Sequence, residues 1–209
     1  GIYNDFSSTL TVTNSTLSGN RAIYYGGGIY NFGTLAVTDS TLVNNGTAST
    51  PGSSHGGGIS NGGQLTIGNT LVDGNFSLVG KEIYNSLAIR FISQGHNLFG
   101  VNGDAGLFDA SIDDPLNLLH PSDIIPSTGT FIGQIICALA DNGGPTQTHL
   151  LVTGSPAIDA GDDALIPPSV LTDQRGPGFP RRTNGAVDIG AVEGSGPCTT
   201  PLRSITAIT

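Results

Sequence analysis

The stretch from Gly26 to Asn45 reads GGGIYNFGTLAVTDSTLVNN, and copies of it precede and follow it in the chain. The earlier copy carries the matching positions at Leu10, Val12, Asn14, Leu17 and Asn20, and the later copy at Leu65, Ile67, Asn69, Val72 and Asn75. A fainter fourth copy begins at Ile83 and continues to Phe91. One apolar column consists of Leu10, Leu35, Leu65 and Ile89. Its steps of 25, 30 and 24 residues are typical of a solenoid.

Each copy alternates apolar and polar residues, as at Leu35, Val37 and Asp39. This is the period of a strand with one buried face. A copy is too short for a strand and a helix, so it holds two or three short strands separated by turns. Such a unit buries its apolar face only by stacking on its neighbours, about 4.8 Å apart. The sequence therefore predicts an all-β fold, a parallel β-helix, with an irregular segment that caps its C-terminal end.

Two columns of asparagine recur at the turns of the predicted coils. The first consists of Asn4, Asn31, Asn61 and Asn85, and the second of Asn20, Asn45 and Asn75. Asparagine at a turn bonds its own backbone and that of the next coil, and it tolerates the left-handed conformation. We interpret both columns as structural rather than ligand-binding.

The largest insertion in the repeat separates Asn45 from Gly58 and reads GTASTPGSSHGG. Loops that grow on one side of a solenoid often form its binding face. This one contains mainly small and polar residues, with His55 as its single ionisable side chain. We predict a mobile, solvated loop here.

Composition excludes two classes of partner. The chain of 209 residues has a formal net charge of −9, whereas nucleic-acid binding requires clustered Lys and Arg. No apolar run reaches the roughly 18 residues of a membrane-spanning helix. The 32 glycines suit a chain that turns every few residues.

Four distinctive blocks follow the repeats, at residues 140–149 (ADNGGPTQTH), 154–161 (GSPAIDAG), 172–176 (TDQRG) and 185–193 (GAVDIGAVE). Together with the repeats, they resemble the bacterial choice-of-anchor Q domain over residues 1–193. The resemblance implies a right-handed β-helix that these blocks close, in a secreted or cell-surface bacterial protein with no established catalytic residues. We divide the chain into coils (1–92), irregular last coils with a cap (93–193), and a tail or linker (194–209).

The predicted cap is rich in carboxylates. Oxygen ligands for Ca²⁺ are offered by Asp159, Asp162, Asp163, Asp173 and Asp188. Their spacing matches neither an EF-hand nor a nonapeptide calcium repeat. Hydrogen bonding within turns, with an ion pair to Arg175, is the alternative interpretation. The sequence therefore predicts either no cofactor or Ca²⁺.

The two cysteines, Cys137 and Cys198, admit two interpretations. An even pair in a protein outside the cytosol suggests a disulfide that ties the tail to the cap. Alternatively, Cys137 is a core residue of the apolar run IICAL.

Parallel β-helices include polysaccharide lyases and glycosidases, so catalysis is one candidate function. An inverting glycosidase needs two carboxylates about 6.5–9.5 Å apart. The coils offer few acids: Asp5, Asp39, Asp73 and Glu82. Aromatic residues make up 6% of the chain, and none is Trp. We predict a non-catalytic, extracellular or cell-surface structural or adhesive module, with a polysaccharide-active lyase or glycoside hydrolase as the alternative.

Partners are also suggested by the first residues, Gly1 to Asn4, which match the middle of a repeat. We expect the chain to be a piece of a longer precursor. The open end of its first coil would then be covered by upstream coils, or by a second copy added head-to-tail into a filament. Surface polysaccharide is a further possible partner.

Overall fold

Parallel strands dominate the chain, and they stack into three sheets. The computed structural model describes residues 1–48, 54–86, 90–101, 103–110, 115–183 and 185–198. The predicted all-β parallel solenoid is confirmed, because every strand pair within the three sheets is parallel.

Sheet A contains β1 (Ile2–Asn4), β5 (Ile29–Asn31), β9 (Ile59–Asn61), β12 (Ile83–Asn85) and β15 (Leu107–Asp109). Sheet B contains β2 (Thr9–Thr13), β6 (Thr34–Thr38), β10 (Gln64–Gly68) and β13 (Phe91–Ser93). Sheet C contains β3 (Thr16–Ser18), β7 (Thr41–Val43), β11 (Leu71–Asp73) and β14 (Leu98–Phe99). Short parallel pairs join β4 (Arg21–Ala22) to β8 (Gly46–Thr47), and β16 (Leu151–Val152) to β17 (Ser195–Gly196).

The interior of the solenoid is a stack of aliphatic columns. Leu35 lies between Leu10 and Leu65, and Val37 lies between Val12 and Ile67. The inner residues of the middle coils are fully buried. Because like residues sit above like, each coil buries the apolar face of its neighbour.

The register after the third coil differs from the sequence prediction. Leu65 pairs with Phe91, so Phe91 takes the place predicted for Ile89, which lies outside the described residues. Strand pairing also continues past Phe91, because Ile83 pairs with Leu107. The sequence between these strands lacks the repeat pattern, so it does not predict this further coil.

Left-handed backbone occurs at a column other than the two asparagine columns. Asn14, Asp39 and Asn69 have φ values of 52°, 48° and 48°. These residues connect sheet B to sheet C, and short polar side chains accept this conformation best. Asp39 takes the same repeat position as Asn14 and Asn69, so it is a turn residue of the second coil.

The irregular C-terminal segment covers the solenoid in two places, at the end of the last coil and along the outer face of sheet C. Leu118, Leu119 and Ile125 pack against the core at the end of the last coil. A 3-10 helix at Pro115–Leu118 lies in this part. The four distinctive blocks, which the resemblance places over the last coil, lie instead along the side of the solenoid.

That side is the outer face of sheet C. Val43, Leu71 and Leu98 of sheet C form a second apolar cluster with Ile135 and Ile189 of the C-terminal segment. The segment also contains 3-10 helices at Ile132–Gln134 and Asp163–Leu165. Among the described residues, no helix has the length and hydrophobicity needed to span a bilayer.

Candidate functional site

Sheet A presents a row of aromatic side chains on its outer surface. Its buried positions are isoleucines such as Ile29 and Ile59, so the residue after each of them points outward. This outward column consists of Tyr3, Tyr30, Ser60, Tyr84 and Phe108. Three further rings, Tyr24, Tyr25 and Phe32, join it. The tyrosine face, which we define as these seven rings with His55, contains all five tyrosines of the chain.

The rings of the tyrosine face form a continuous ladder along the solenoid axis. Ring centroids of Tyr3 and Tyr30 are 5.7 Å apart, and Tyr30 stacks on Tyr25 at 5.2 Å. Tyr84 stacks on Phe108 at 5.4 Å with an interplanar angle of 7°. Offset stacking of this kind stabilises the rings against one another. The ladder is therefore a preformed surface that spans five strands.

His55 fills the one gap in this ladder, at the strand where Ser60 replaces an aromatic residue. Its ring stacks on Tyr25 at 5.5 Å and lies 4.4 Å from Tyr84. The structure thus places His55 within an aromatic stack, and the prediction of a solvated loop is wrong for this residue. Residues 49–53 of the same insertion lie outside the described chain.

The tyrosine face remains open to solvent. Tyr3 and Tyr24 are 59% and 50% exposed, and Phe32 is 38% exposed. Hydrogen bonding to Asp5 raises the pKa of Tyr3, and burial raises the pKa of Tyr30. Both hydroxyls therefore stay protonated at neutral pH, and the single hydrogen of the Tyr3 hydroxyl is donated to Asp5. Exposed apolar patches rimmed by polar groups mark interaction sites.

A groove of about 390 Å³ adjoins the tyrosine face at the turn between sheets A and B. Phe32 belongs to both, since its ring contacts Tyr30 at 4.8 Å and also lines the groove. The other lining side chains include Phe6, Ser7, Thr34, Gln64 and Arg90. Gly33 and Gly63 also line the groove, and adjacent coils approach closely there, because a Cβ atom on Gly63 would lie 2.0 Å from the carbonyl oxygen of Gly33.

The predicted asparagine columns form hydrogen-bonded ladders inside the solenoid. The first ladder consists of Asn4, Asn31, Asn61, Asn85 and Asp109, linked by Nδ2 to oxygen distances of 2.7, 2.6, 2.6 and 2.5 Å. The second consists of Asn20, Asn45, Asn75 and Glu82, linked at 2.9, 2.9 and 2.5 Å. Along each ladder the amides donate toward the C-terminal end, where a carboxyl oxygen accepts. The structure therefore gives these columns a structural role, and it adds Asp109 and Glu82 to them.

Asp73 and Glu82 are a pair of buried carboxyl groups. Neither oxygen of Asp73 makes a hydrogen bond of normal geometry. Burial raises the pKa of Asp73 to about 8, offset only in part by the backbone N–H of Gly74. Burial, and then the charge of Asp73, raise the pKa of Glu82 well above its usual range. Both groups are inaccessible to a bound polymer, so they are unsuited to acid–base catalysis on one.

The five aspartates considered as calcium ligands are mostly engaged by protein donors. Asp173 pairs with Arg175 at 2.6 Å, and Asp163 pairs with Arg182 at 2.7 Å. Asp162 accepts from the N–H of Ala164. Asp188 accepts from the N–H groups of Asp159 and Gly194. Within the described residues, no group of three or more His, Cys, Asp or Glu side chains could hold a metal ion.

The structure joins Cys137 and Cys198 in a disulfide, with Cα atoms 5.2 Å apart. Cys137 is also buried, so it is both a disulfide partner and a core residue. Nearby, Nδ1 of His149 donates to the carbonyl oxygen of Cys137 at 2.7 Å, and its Nε2 lies 2.9 Å from the hydroxyl of Ser18. These contacts attach the C-terminal segment to the first coil.

The tyrosine face is the feature that sequence reasoning missed. Its signal was present, because Tyr3, Tyr30 and Tyr84 occupy one position of the repeated motif IYN. Overall aromatic content was low, but solenoid stacking concentrates the rings on one surface.

Comparison with known proteins yields no relative. No protein-family model, curated protein or solved structure matches the chain.

Proposed function

We propose that this chain is a non-catalytic, extracellular or cell-surface adhesive module that binds polysaccharide through the tyrosine face. The observation that carries the proposal is the open ladder of rings on sheet A. A pyranose ring has an apolar C–H face and a hydroxyl rim. It can therefore pack its apolar face against the exposed outer edges of the ring ladder while its rim bonds to tyrosine hydroxyls, because tyrosine combines an apolar body with a polar tip.

The direction of the ladder favours a polymer over a small ligand. Successive strands repeat about every 4.8 Å along the axis, so the rings offer a row of equivalent contacts across five strands. Many weak contacts in a row raise the affinity for a chain without an enclosed pocket.

The acids of the coils support binding rather than catalysis. Asp39, Asp73 and Glu82 are buried. Asp5 lies beside the first strand of sheet A and Asp104 beside the fifth, about 19 Å apart along the axis at about 4.8 Å per strand. An inverting glycosidase requires about 6.5–9.5 Å. The sequence also contains an adjacent acidic pair, Asp113 and Asp114, which lies outside the described residues.

The covered C-terminal end favours a binding module over a head-to-tail filament. Stacking of a second copy on that end would require displacement of Leu118, Leu119 and Ile125, which pack against the core there. The disulfide supports the extracellular location, because disulfides persist in oxidising compartments. The resemblance of the four blocks to the choice-of-anchor Q domain supports the same location.

The test is affinity electrophoresis against a panel of soluble polysaccharides, with the tyrosine face altered. Tyr30→Ser and Tyr84→Ser copy the serine found at Ser60 in the same column, so the coil should accept them. We expect at least one polymer to bind, and each substitution to weaken binding about tenfold, which corresponds to about 1.4 kcal/mol.

Leu171→Ala is the matched control, because Leu171 is 79% exposed and lies outside the tyrosine face. It should leave binding unchanged. A reducing-end assay on the same polymers should show no cleavage. Loss of binding in the control alone, or retention in both tyrosine variants, would remove the tyrosine face as the site.

A further inference from the structure

The groove beside the tyrosine face contains an unneutralised cation. Arg90 is exposed, and its Nη1 donates to the carbonyl oxygen of Gly62 at 2.7 Å. No carboxylate of the described residues pairs with it. Most other described cations have a carboxylate within 4.0 Å, in the pairs Lys81 with Asp104, Arg175 with Asp173, Arg181 with Glu193, and Arg182 with Asp163. Arg21, the remaining one, covers the ring of Phe76 at 4.4 Å.

The hydrogen bond to Gly62 leaves most of the guanidinium free to bind a ligand. Arginine carries five N–H donors in a planar fork whose shape matches a carboxylate. A hydrogen bond between two charged partners is roughly twice as strong as a neutral one. The bond to Gly62 also restrains Nη1, so part of the ordering cost is met before a ligand arrives.

The rest of the groove suits a sugar ring. Phe6 is 76% exposed, and with Phe32 it supplies aromatic surface. Ser7, Thr34 and Gln64 supply neutral hydrogen-bonding groups. The nearest acid in sequence, Asp5, does not line the groove, and its Oδ1 accepts from the hydroxyl of Tyr3 and the N–H of Phe6.

We infer that this groove binds the carboxylate of an acidic sugar residue, held by Arg90, in a polysaccharide whose neighbouring residues lie on the tyrosine face. The inference rests on the proposed function and specifies its ligand as a uronic-acid polymer. Phe32 joins the two surfaces, so one chain can contact both. In a protein of net charge −9, an unpaired Arg at this place gives selectivity that the aromatic ladder cannot provide.

The experiment compares two probes that share a backbone and differ in charge. These are polygalacturonate and its fully methyl-esterified form, each titrated against the protein by calorimetry at low salt. We expect the wild-type chain to prefer the acid form about tenfold. Arg90→Gln should abolish that preference while binding to the ester persists. Arg182→Gln removes an exposed positive charge elsewhere, and it should preserve the preference.

The outcomes separate this inference from the proposed function. Equal affinity for both probes, or a preference that survives Arg90→Gln, overturns the inference and leaves the tyrosine face as a binding site. A loss of preference in Arg182→Gln as large as that in Arg90→Gln shows a general charge effect and also overturns it. Absence of binding to both probes and to every polymer of the panel removes both proposals.

Discussion

Nδ2 of Asn75 donates a 2.5 Å hydrogen bond to Oε2 of Glu82, and this contact ends the second asparagine ladder on a carboxyl group. Glu82 also accepts from the N–H of Asn75 at 3.3 Å. An amide must both donate and accept to continue a ladder, whereas Oε2 of Glu82 accepts and the side chain has no N–H group to donate further along the ladder. Each ladder therefore ends where its donors meet an acid, and all of its amide dipoles point the same way.

Glu82→Ala should destabilise the fold, because it removes the acceptor of the backbone N–H of Asn75 and of one of its two Nδ2 hydrogens. The carbonyl oxygen of Leu42 remains as an acceptor for Nδ2. An unsatisfied buried polar group costs about 1–3 kcal/mol. Glu82→Gln retains an acceptor oxygen and should cost much less near neutral pH. Urea denaturation of the three proteins would measure the free energies of unfolding. Equal losses in both variants would contradict this role of the side-chain oxygen.

Asp73→Asn should change how stability depends on pH. The pKa of Asp73 is about 8 in the folded chain and about 3.9 in the unfolded chain. The folded state therefore holds a proton that the unfolded state loses. This contribution to stability is fully present below about pH 4, decreases as pH rises toward 8, and is constant above it.

Between about pH 4 and pH 8, the free energy of unfolding of the wild-type chain should fall by about 1.4 kcal/mol per pH unit relative to that of Asp73→Asn. Urea denaturation at pH 5, 7 and 9 measures the difference. Glu82 adds a dependence of the same sign to both proteins, and it is smaller in Asp73→Asn because the charge of Asp73 raises the pKa of Glu82 only in the wild-type chain. Parallel stability curves for the two proteins would show that Asp73 does not carry the effect.

Reduction of the disulfide should destabilise the C-terminal segment. Cys137 and Cys198 are separated by 61 positions, and a cross-link of that span contributes about 4 kcal/mol in the chain-entropy model. Denaturation with and without reductant gives the difference, and the double variant with both cysteines replaced by Ser should match the reduced protein. A reductant effect that persists in the double variant would have another origin.

Gly27→Ala should strongly destabilise the solenoid, because a Cβ atom there would lie 2.3 Å from the backbone nitrogen of Gly46 and 2.5 Å from the carbonyl oxygen of Gly57. We expect a loss of more than about 3 kcal/mol, since packed backbone cannot yield as a side chain can. Gly154→Ala meets no atom within 4 Å and should cost only about 1–2 kcal/mol for its left-handed conformation. Thermal denaturation of both variants tests this ranking.

The sequence predicts those contacts that join equivalent positions of successive repeats. The columns through Leu35 and Asn31 follow from period and position, because stacking brings like residues together. The prediction failed where the partner has a different residue type: Asp109 and Glu82 extend the asparagine ladders with a carboxyl group. Phe91 replaces Ile89 for a similar reason, since the apolar pattern near the third coil fits more than one register.

The tyrosine face could have been predicted from the motif IYN, had the outward positions been traced as the inward ones were. Arg90 could not, because its lack of a carboxylate partner depends on distances between coils. The packing of the C-terminal segment against the outer face of sheet C could not be predicted either, because residues 131–193 have no periodic apolar pattern.

The C-terminal segment along sheet C has a consequence for cooperativity. Ser18 of the first coil contacts His149, Thr41 of the second contacts Ala191, and Asn69 of the third contacts Asp162. A bare solenoid interacts only between nearest neighbours, so its terminal coils fray independently. A single segment bound to successive coils couples them, because detachment of one coil weakens its hold on the others. Unfolding of the coils should therefore approach a single transition, and the tyrosine face should stay assembled until that transition occurs.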